Sequence, residues 1–159
     1  MFATHIDASR GKPQLYAELA VALRALIEGE TDWIANLANA SALLYSSLPD
    51  LNWAGFYLLK QDELVVGPFQ GKPACVRIAI GKGVCGTAAA RRETLIVPNV
   101  HEFPGHIACD SASNSEIVVP MISEGKLLGV LDLDSPKLDR FGVEDRDGLE
   151  RFVAILLAN

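Results

Sequence analysis

The sequence has little positive charge, few cysteines and no long apolar run, and each shortage removes a class of function. Fourteen Lys and Arg stand against twenty Asp and Glu, a net charge of -6, and the longest basic run is the pair Arg91-Arg92. A nucleic-acid binder gathers a basic patch, which this chain does not supply. The same negative charge disfavours an anionic membrane surface. Apolar stretches are broken by glycine or charge well short of the ~20 residues that span a bilayer. The N-terminal stretch MFATHIDASRGKPQ has neither the basic segment nor the apolar segment of a secretory leader. These features predict a cytoplasmic protein. Three cysteines, an odd number, do not make the disulfide framework of a small secreted domain. In a reducing compartment they act as buried fillers, metal ligands or reactive thiols.

What is present fits one soluble globular domain over residues 1–159, half apolar and about a fifth charged, with no repeat or linker. From Pro13 to Glu28, Leu15, Leu19, Leu23, Leu26 and Ile27 recur at helical spacing, with Pro13 suited to a first turn and Gly29 to a stop. Thr31 is the expected N-cap of a second helix that ends before Pro49, so helices occupy about 13–46. Sheet and loops follow over about 52–135. Trp53 to Leu59 and Leu64 to Phe69 read as a hairpin, Val76 to Ile80 as a strand, and GKGVCGTAAARR as a turn entering a short helix. Thr94 to Val97 is a short strand, and Pro98 to Ser115 a long loop of the kind that carries function. Ile117 to Ile122 and Leu127 to Leu133 form a second hairpin, and Val143 to Leu157 a closing amphipathic helix. The expected fold is α+β, a mainly antiparallel sheet of about six strands flanked by N-terminal and C-terminal helices.

The candidate chemistry centres on Phe103 to Glu116, FPGHIACDSASNSE. Cys109 sits in a polar, turn-rich loop with His106 three residues before it and Asp110 directly after. A thiol becomes nucleophilic when cations or converging N–H groups lower its pKa, and small residues in succession form such nests. The alternative is a half-buried cysteine in a loop packed on the sheet, and this segment alone leaves both open. Cys75, in the Gly/Pro-containing loop QGKPAC, is a candidate resolving thiol if its Cα comes within ~7 Å of that of Cys109; otherwise it is an idle loop cysteine. Cys85 lies among small residues entering a helix and reads first as a buried filler.

Three carboxylates form a second group. Asp132 and Asp134 are two apart in GVLDLDS and share a strand face. Glu116 begins the partner strand. A three-residue loop, Glu124 to Lys126, places Glu116 opposite Asp134, whereas a two-residue loop turns it to the other face. Clustered acids cannot all ionise cheaply, and a carboxyl held protonated can donate to a reacting oxygen. Ordinary solvated acids at strand ends are the alternative. Trp53 and Tyr57 share strand parity and could wall a small apolar pocket or simply belong to the core. Cys75, Cys85, His101, His106 and Cys109 lack any metal-knuckle spacing, so no metal site is expected.

Together, NWAGFYL, GPFQGKPACVRIAIGKGVCG, HEFPGHIACDSASNSEIVVP and GVLDLDS resemble the free methionine-(R)-sulfoxide reductase family, built on the GAF fold. The similarity covers most of the chain beyond residue 50. It implies a thiol-dependent reductase of the free amino acid with no cofactor. Cys109 matches the catalytic cysteine, Cys75 the resolving one, and Cys85 an auxiliary thiol. Glu116, Asp132 and Asp134 match acids around the sulfoxide and the substrate amine. Trp53 and Tyr57 match the pocket for the methyl end, and His106, Ile107 and Ala108, up to Cys109, a backbone cradle for the carboxylate. The resemblance further implies a sulfenic acid on Cys109, a Cys75–Cys109 disulfide, recycling by thioredoxin or a similar dithiol, and a homodimer through the N-terminal helices. The rivals are a non-catalytic GAF sensor that binds a small ligand, and a thiol peroxidase with no use for an amino-acid pocket. A sensor is usually attached to an output domain, and this sequence ends two residues past its last helix.

Overall fold

Two faces of one antiparallel sheet divide the labour in this chain, and alternation along the strands assigns each side chain to its face. The structure is a computed structural model that describes residues 6–159. The first five residues of the expected domain, part of the stretch read for a leader, lie outside the described residues. Helix α1 (Lys12–Ile27) carries Pro13 in its first turn, where a missing N–H is harmless. Helix α2 (Trp33–Ser47) is capped by Asp32 rather than the expected Thr31. The Asp32 carboxylate accepts from the N–H of Ala35 at 2.8 Å. Its charge also complements the positive end of the helix, which a hydroxyl cannot do as well.

The first hairpin comprises β1 (Trp53–Lys60) and β2 (Glu63–Gly71). Strand β3 (Arg77–Ala79) is shorter than expected because these three residues alone pair in register with β2, beyond which Val76 only accepts from the N–H of Val66 at 2.9 Å. Helix α3 (Gly83–Arg91), β4 (Leu95–Val97), β5 (Ser115–Ser123), β6 (Lys126–Ser135) and α4 (Val143–Leu157) follow. The six strands lie in the order β3-β2-β1-β6-β5-β4, with every neighbouring pair antiparallel. The long loop between β4 and β5 holds one short 3-10 turn, Val100–Glu102, pinned by the buried Val100.

Ala54, Phe56, Ile117, Val119, Leu131 and Leu133 face the main core, which α1, α2 and α4 complete with Leu19, Leu23, Leu44 and Phe152 among others. Trp53, Tyr57, Val118 and Val130 point the other way, towards α3 and the loops. The helical side is fastened by the fully buried carboxylate of Asp145. It accepts from Tyr16 Oη at 2.9 Å, Arg140 Nη1 at 3.2 Å and the N–H of Gly142 at 2.8 Å, and it pairs with Lys12. A buried charge is tolerable only when paired and hydrogen-bonded in this way.

The β5–β6 register resolves the question left by the sequence, though by neither expected route. The turn is two residues, because Ser123 pairs with Lys126 and Ile122 with Leu127. Beyond it Met121 pairs with Gly129, so Leu128 is an extra residue and the ladder slips by one. This bulge restores the pairing of Glu116 with Asp134. Gly129 is required beside it: its φ is 157°, and a Cβ there would lie 2.1 Å from the carbonyl oxygen of Tyr57.

Candidate active site

The slip at Leu128 brings the acids together. In one lateral row Trp53, Asp134, Glu116 and Val97 stand side by side on β1, β6, β5 and β4. Asp132 lies one pleat along the same face, opposite Gly55 and Val118. Glu116 and Asp132 are only 5% and 6% exposed, while Asp134 is half-buried. Helix α3 covers them with Cys85, whose Sγ lies 3.8 Å from Glu116 Oε1. Donor atoms of Cys85, Glu116 and Asp132 all fall within 4.8 Å of one another. Among the described residues this trio, not the His/Cys set weighed from the sequence, is the group whose spacing could hold a small divalent cation, since Cys75 and Cys109 are joined to each other.

Burial determines the protonation of this cluster. Desolvation, then the neighbouring charges of Asp132 and Asp134, holds the Glu116 carboxyl well above the usual carboxylate range. Asp134 is raised by burial and by Asp132, and Asp132 by burial, to about 6. Burial likewise pushes the Cys85 thiol up. Among the described residues no Lys or Arg pairs with these acids; the one basic neighbour is His106, whose Nε2 lies 3.9 Å from Glu116 Oε2. Burial and His101 lower the His106 pKa, which favours the neutral ring. Asp132 Oδ1 is buried without a hydrogen-bond partner among the described residues. The cluster near neutral pH is therefore rich in protons and short of partners.

Above the acids a cavity of about 550 Å³, counting its open mouth, is walled by Trp53 and Tyr57, whose rings stack at 5.8 Å. These aromatics also tether the loop that carries Cys75. Trp53 Nε1 donates to the carbonyl of Lys72 at 3.2 Å, and Tyr57 Oη donates to that of Cys75 at 2.9 Å. Opposite stands the loop of Cys109, and the two cysteines form a disulfide with Cα atoms 5.7 Å apart. Cys109 is exposed and Cys75 half-buried, so the bond lies at the mouth. In this state His106 N–H donates to Phe103 and Cys109 N–H to Ile107. The amides of Ile107 and Ala108 make no hydrogen bond within the described residues. Gly83, with φ 59°, lets the start of α3 approach Ile107; a Cβ there would sit 3.1 Å from that side chain.

The GAF domain family matches residues 18–159. The free methionine-R-sulfoxide reductase of Escherichia coli is 57% identical over 91% of this chain and 88% of its own length. That of Saccharomyces cerevisiae is 46% identical over 97% and 91%. The X-ray structure of free methionine-R-sulfoxide reductase from Neisseria meningitidis in complex with its substrate superposes with a TM-score of 0.95, at 46% identity, over 99% of this chain and 95% of that one. This chain belongs to the free methionine-R-sulfoxide reductase family.

Of the residues singled out from the sequence on the strength of the family resemblance, all but Cys75 and Ala108 line one cavity. Cys75 and Cys109 meet, and the three acids share a face. Cys85, read first as an inert filler, is buried as expected yet touches Glu116. Of the backbone N–H groups from His106 to Cys109, those of His106 and Cys109 are taken up within the loop in the disulfide state. Sequence reasoning missed Asn52 and Lys72, whose side chains meet the Asp110 carboxylate beside Cys109, and Ser113, whose Oγ accepts from Asn52 Nδ2. Asn52 and Lys72 stand inside the family segments NWAGFYL and QGKPAC, but no spacing rule links positions so far apart in the chain.

Proposed function

We propose that this chain reduces free L-methionine-(R)-sulfoxide to L-methionine through Cys109. The observation that carries the reading is a disulfide between Cys75 and Cys109 at the mouth of a pocket floored by buried, proton-holding acids. In the reduced enzyme the Cys109 thiolate attacks the sulfoxide sulfur while Glu116 protonates the oxygen. The oxygen passes to Cys109, the substrate sulfur is reduced to the thioether, and Cys109 becomes a sulfenic acid. The Cys75 thiol then attacks that sulfur and forms the disulfide, and the hydroxyl leaves as water. A dithiol protein of the thioredoxin class exchanges with the disulfide and restores both thiols. Oxygen transfer, closure and exchange balance without a further oxidant or cofactor.

Asp132 and Asp134 receive the substrate ammonium, which neutralises the buried charge that Asp132 otherwise carries alone. The amides of Ile107 and Ala108 bind the carboxylate, with His106 closing that side, and Trp53 and Tyr57 enclose the methyl end. A pocket that captures both ends of an amino acid has no exit for a peptide chain, which favours the free substrate. A passive sensor pocket would use neither the thiol pair nor the acids. A thiol peroxidase would use the pair alone. We assign the enzyme to the cytoplasm, where thioredoxin-type reductants operate, and to a homodimer. Val21, exposed on α1 near Ile155 of α4, supports that assembly.

The test is single-turnover incubation of the reduced protein with each free methionine sulfoxide epimer, counting methionine formed and thiols lost. One methionine per chain from the (R) epimer alone, with two thiols lost, is the expected result. Cys109→Ser should form none, and Cys75→Ser one per chain without recycling unless Cys85 compensates. Turnover by Cys109→Ser would show that another residue is the nucleophile.

A further inference from the structure

Cys75 and Cys109 lie on separate loops, and closure of the disulfide requires both loops to be held together after oxygen transfer. The Cys75 loop is tied to β1 by the carbonyl contacts of Trp53 and Tyr57. The Cys109 loop has no such tie at its cysteine. Its N-terminal side folds on itself through His106 N–H and Phe103, and its C-terminal side joins the sheet at Asn114, whose N–H donates to Ser135. Between those anchors the chain is held through Asp110, the residue after the nucleophile. Asp110 Oδ2 accepts from Asn52 Nδ2 at 3.2 Å, and its Oδ1 accepts from the N–H of Ala112 at 2.9 Å and lies 3.7 Å from Lys72 Nζ. Asn52 Nδ2 also donates to Ser113 Oγ at 2.9 Å. Asn52 stands at the start of β1, and Lys72 three residues before Cys75, so Asp110 joins the catalytic loop to the sheet and to the resolving loop.

The orientation of the Asn52 amide supports a purpose beyond packing. Its Oδ1 is buried without a partner among the described residues. A flipped amide would press that oxygen against the Asp110 carboxylate and lose both donations, so the unpartnered oxygen is the lesser cost. The backbone N–H of Asn52 donates to the backbone carbonyl of Asp134 at 3.0 Å, which ties the start of β1 to the strand that carries Asp132 and Asp134. Those donors make Asp110 a low-pKa carboxylate that stays charged in the working range, with the Ala112 N–H the largest contributor.

We propose that Asn52, Asp110 and Lys72 form a clasp that holds the Cys109 loop against the Cys75 loop and sets the rate at which the disulfide closes. They are positioning residues, and the inference rests on the reductase reading. Loss of the clasp lets the oxidised loop drift, so the Cys109 sulfenic acid outlives its normal span. During oxygen transfer the bound substrate itself bridges the amides of Ile107 and Ala108 to the acid row, so that step proceeds before the clasp matters.

The experiment compares the reduced full chain with Asn52→Ala, Lys72→Met and Lys72→Arg in rapid-quench reactions. One series is started with free methionine sulfoxide, the other with one equivalent of hydrogen peroxide, which oxidises the Cys109 thiolate to sulfenic acid without the amino-acid pocket. Methionine, the Cys75–Cys109 disulfide and the dimedone adduct of Cys109 are followed over time. Asn52→Ala should give the wild-type methionine burst, close the disulfide about 10–100-fold more slowly and accumulate the adduct, the scale of one lost hydrogen bond to a charged group. Lys72→Met should slow closure about twofold, as for an exposed ion pair, and Lys72→Arg should restore it. Wild-type closure in both Asn52→Ala and Lys72→Met overturns the clasp. So does a burst that falls in parallel with closure, which marks general loosening. If the wild type forms no methionine yet closes after peroxide, and Asn52→Ala closes slowly, the reductase reading fails and the clasp stands.

Discussion

Asp132→Asn should make this protein more stable and less active, and the size of the gain should follow pH. Asp132 is 6% exposed, its Oδ1 has no partner, and burial raises its pKa from an ordinary 3.8 to about 6. Between those values the folded chain keeps a proton that the unfolded chain has released. Stability therefore falls as pH rises through this window, and the loss is complete above about pH 6. The span of roughly two pH units corresponds to about 3 kcal/mol. An asparagine of the same shape never ionises and loses no hydrogen bond at Oδ1. For a chain of this length, about 3 kcal/mol is a rise in Tm of roughly 6–12 °C. The assay is thermal unfolding of the disulfide form at pH 4.5 and pH 7.5. A large gain at pH 7.5 that shrinks towards pH 4.5, with slower first-turnover methionine formation, is expected because the amide carries no charge for the substrate ammonium. An equal gain at both pH values, or destabilisation at pH 7.5, would refute the claim that a buried, unpaired carboxylate burdens the fold for the sake of its chemistry.

Two further outcomes follow from the same contacts. Glu116→Gln keeps the volume of the buried acid but holds no transferable proton, so single-turnover methionine formation should fall by about 10²–10⁴-fold, while Tm at neutral pH rises because the group whose pKa is raised has been removed; a rate within twofold of wild type would assign the proton to another acid. Tyr16→Phe removes one donor from the buried Asp145 carboxylate on the helical face; unfolding free energy should drop by about 1.5–3 kcal/mol, with methionine formation per chain unchanged.

The element sequence was legible in the chain because it depends on local rules. Helical spacing in Leu15 to Ile27, alternation in the strands and amphipathic patterning in Val143 to Leu157 gave elements within a residue or two of those observed. The errors were local too. Thr31 and Asp32 are both cap residues, and the choice between them turns on which oxygen reaches the Ala35 N–H. The cysteines and acids were legible as candidates through their motifs, since thiols in turn-rich loops and paired acids on a strand have few uses together.

Which of those candidates meet was a matter for the tertiary structure. Turn length alone leaves the face of Glu116 undecided, and the answer came from a bulge at Leu128 made possible by Gly129 packing against the Tyr57 carbonyl of a third strand. The approach of Cys75 to Cys109 depends on two loops that join different strands, of which Trp53 and Tyr57 tether the one that carries Cys75. The convergence of Asn52, Lys72 and Asp110 joins positions tens of residues apart. Sequence by itself determined the periodicities, the composition and the reactive groups available, because these are properties of neighbours along the chain. Only the tertiary structure decided the proton-rich acid row, because raised pKa values arise from burial and from charges on other strands, which no local pattern encodes.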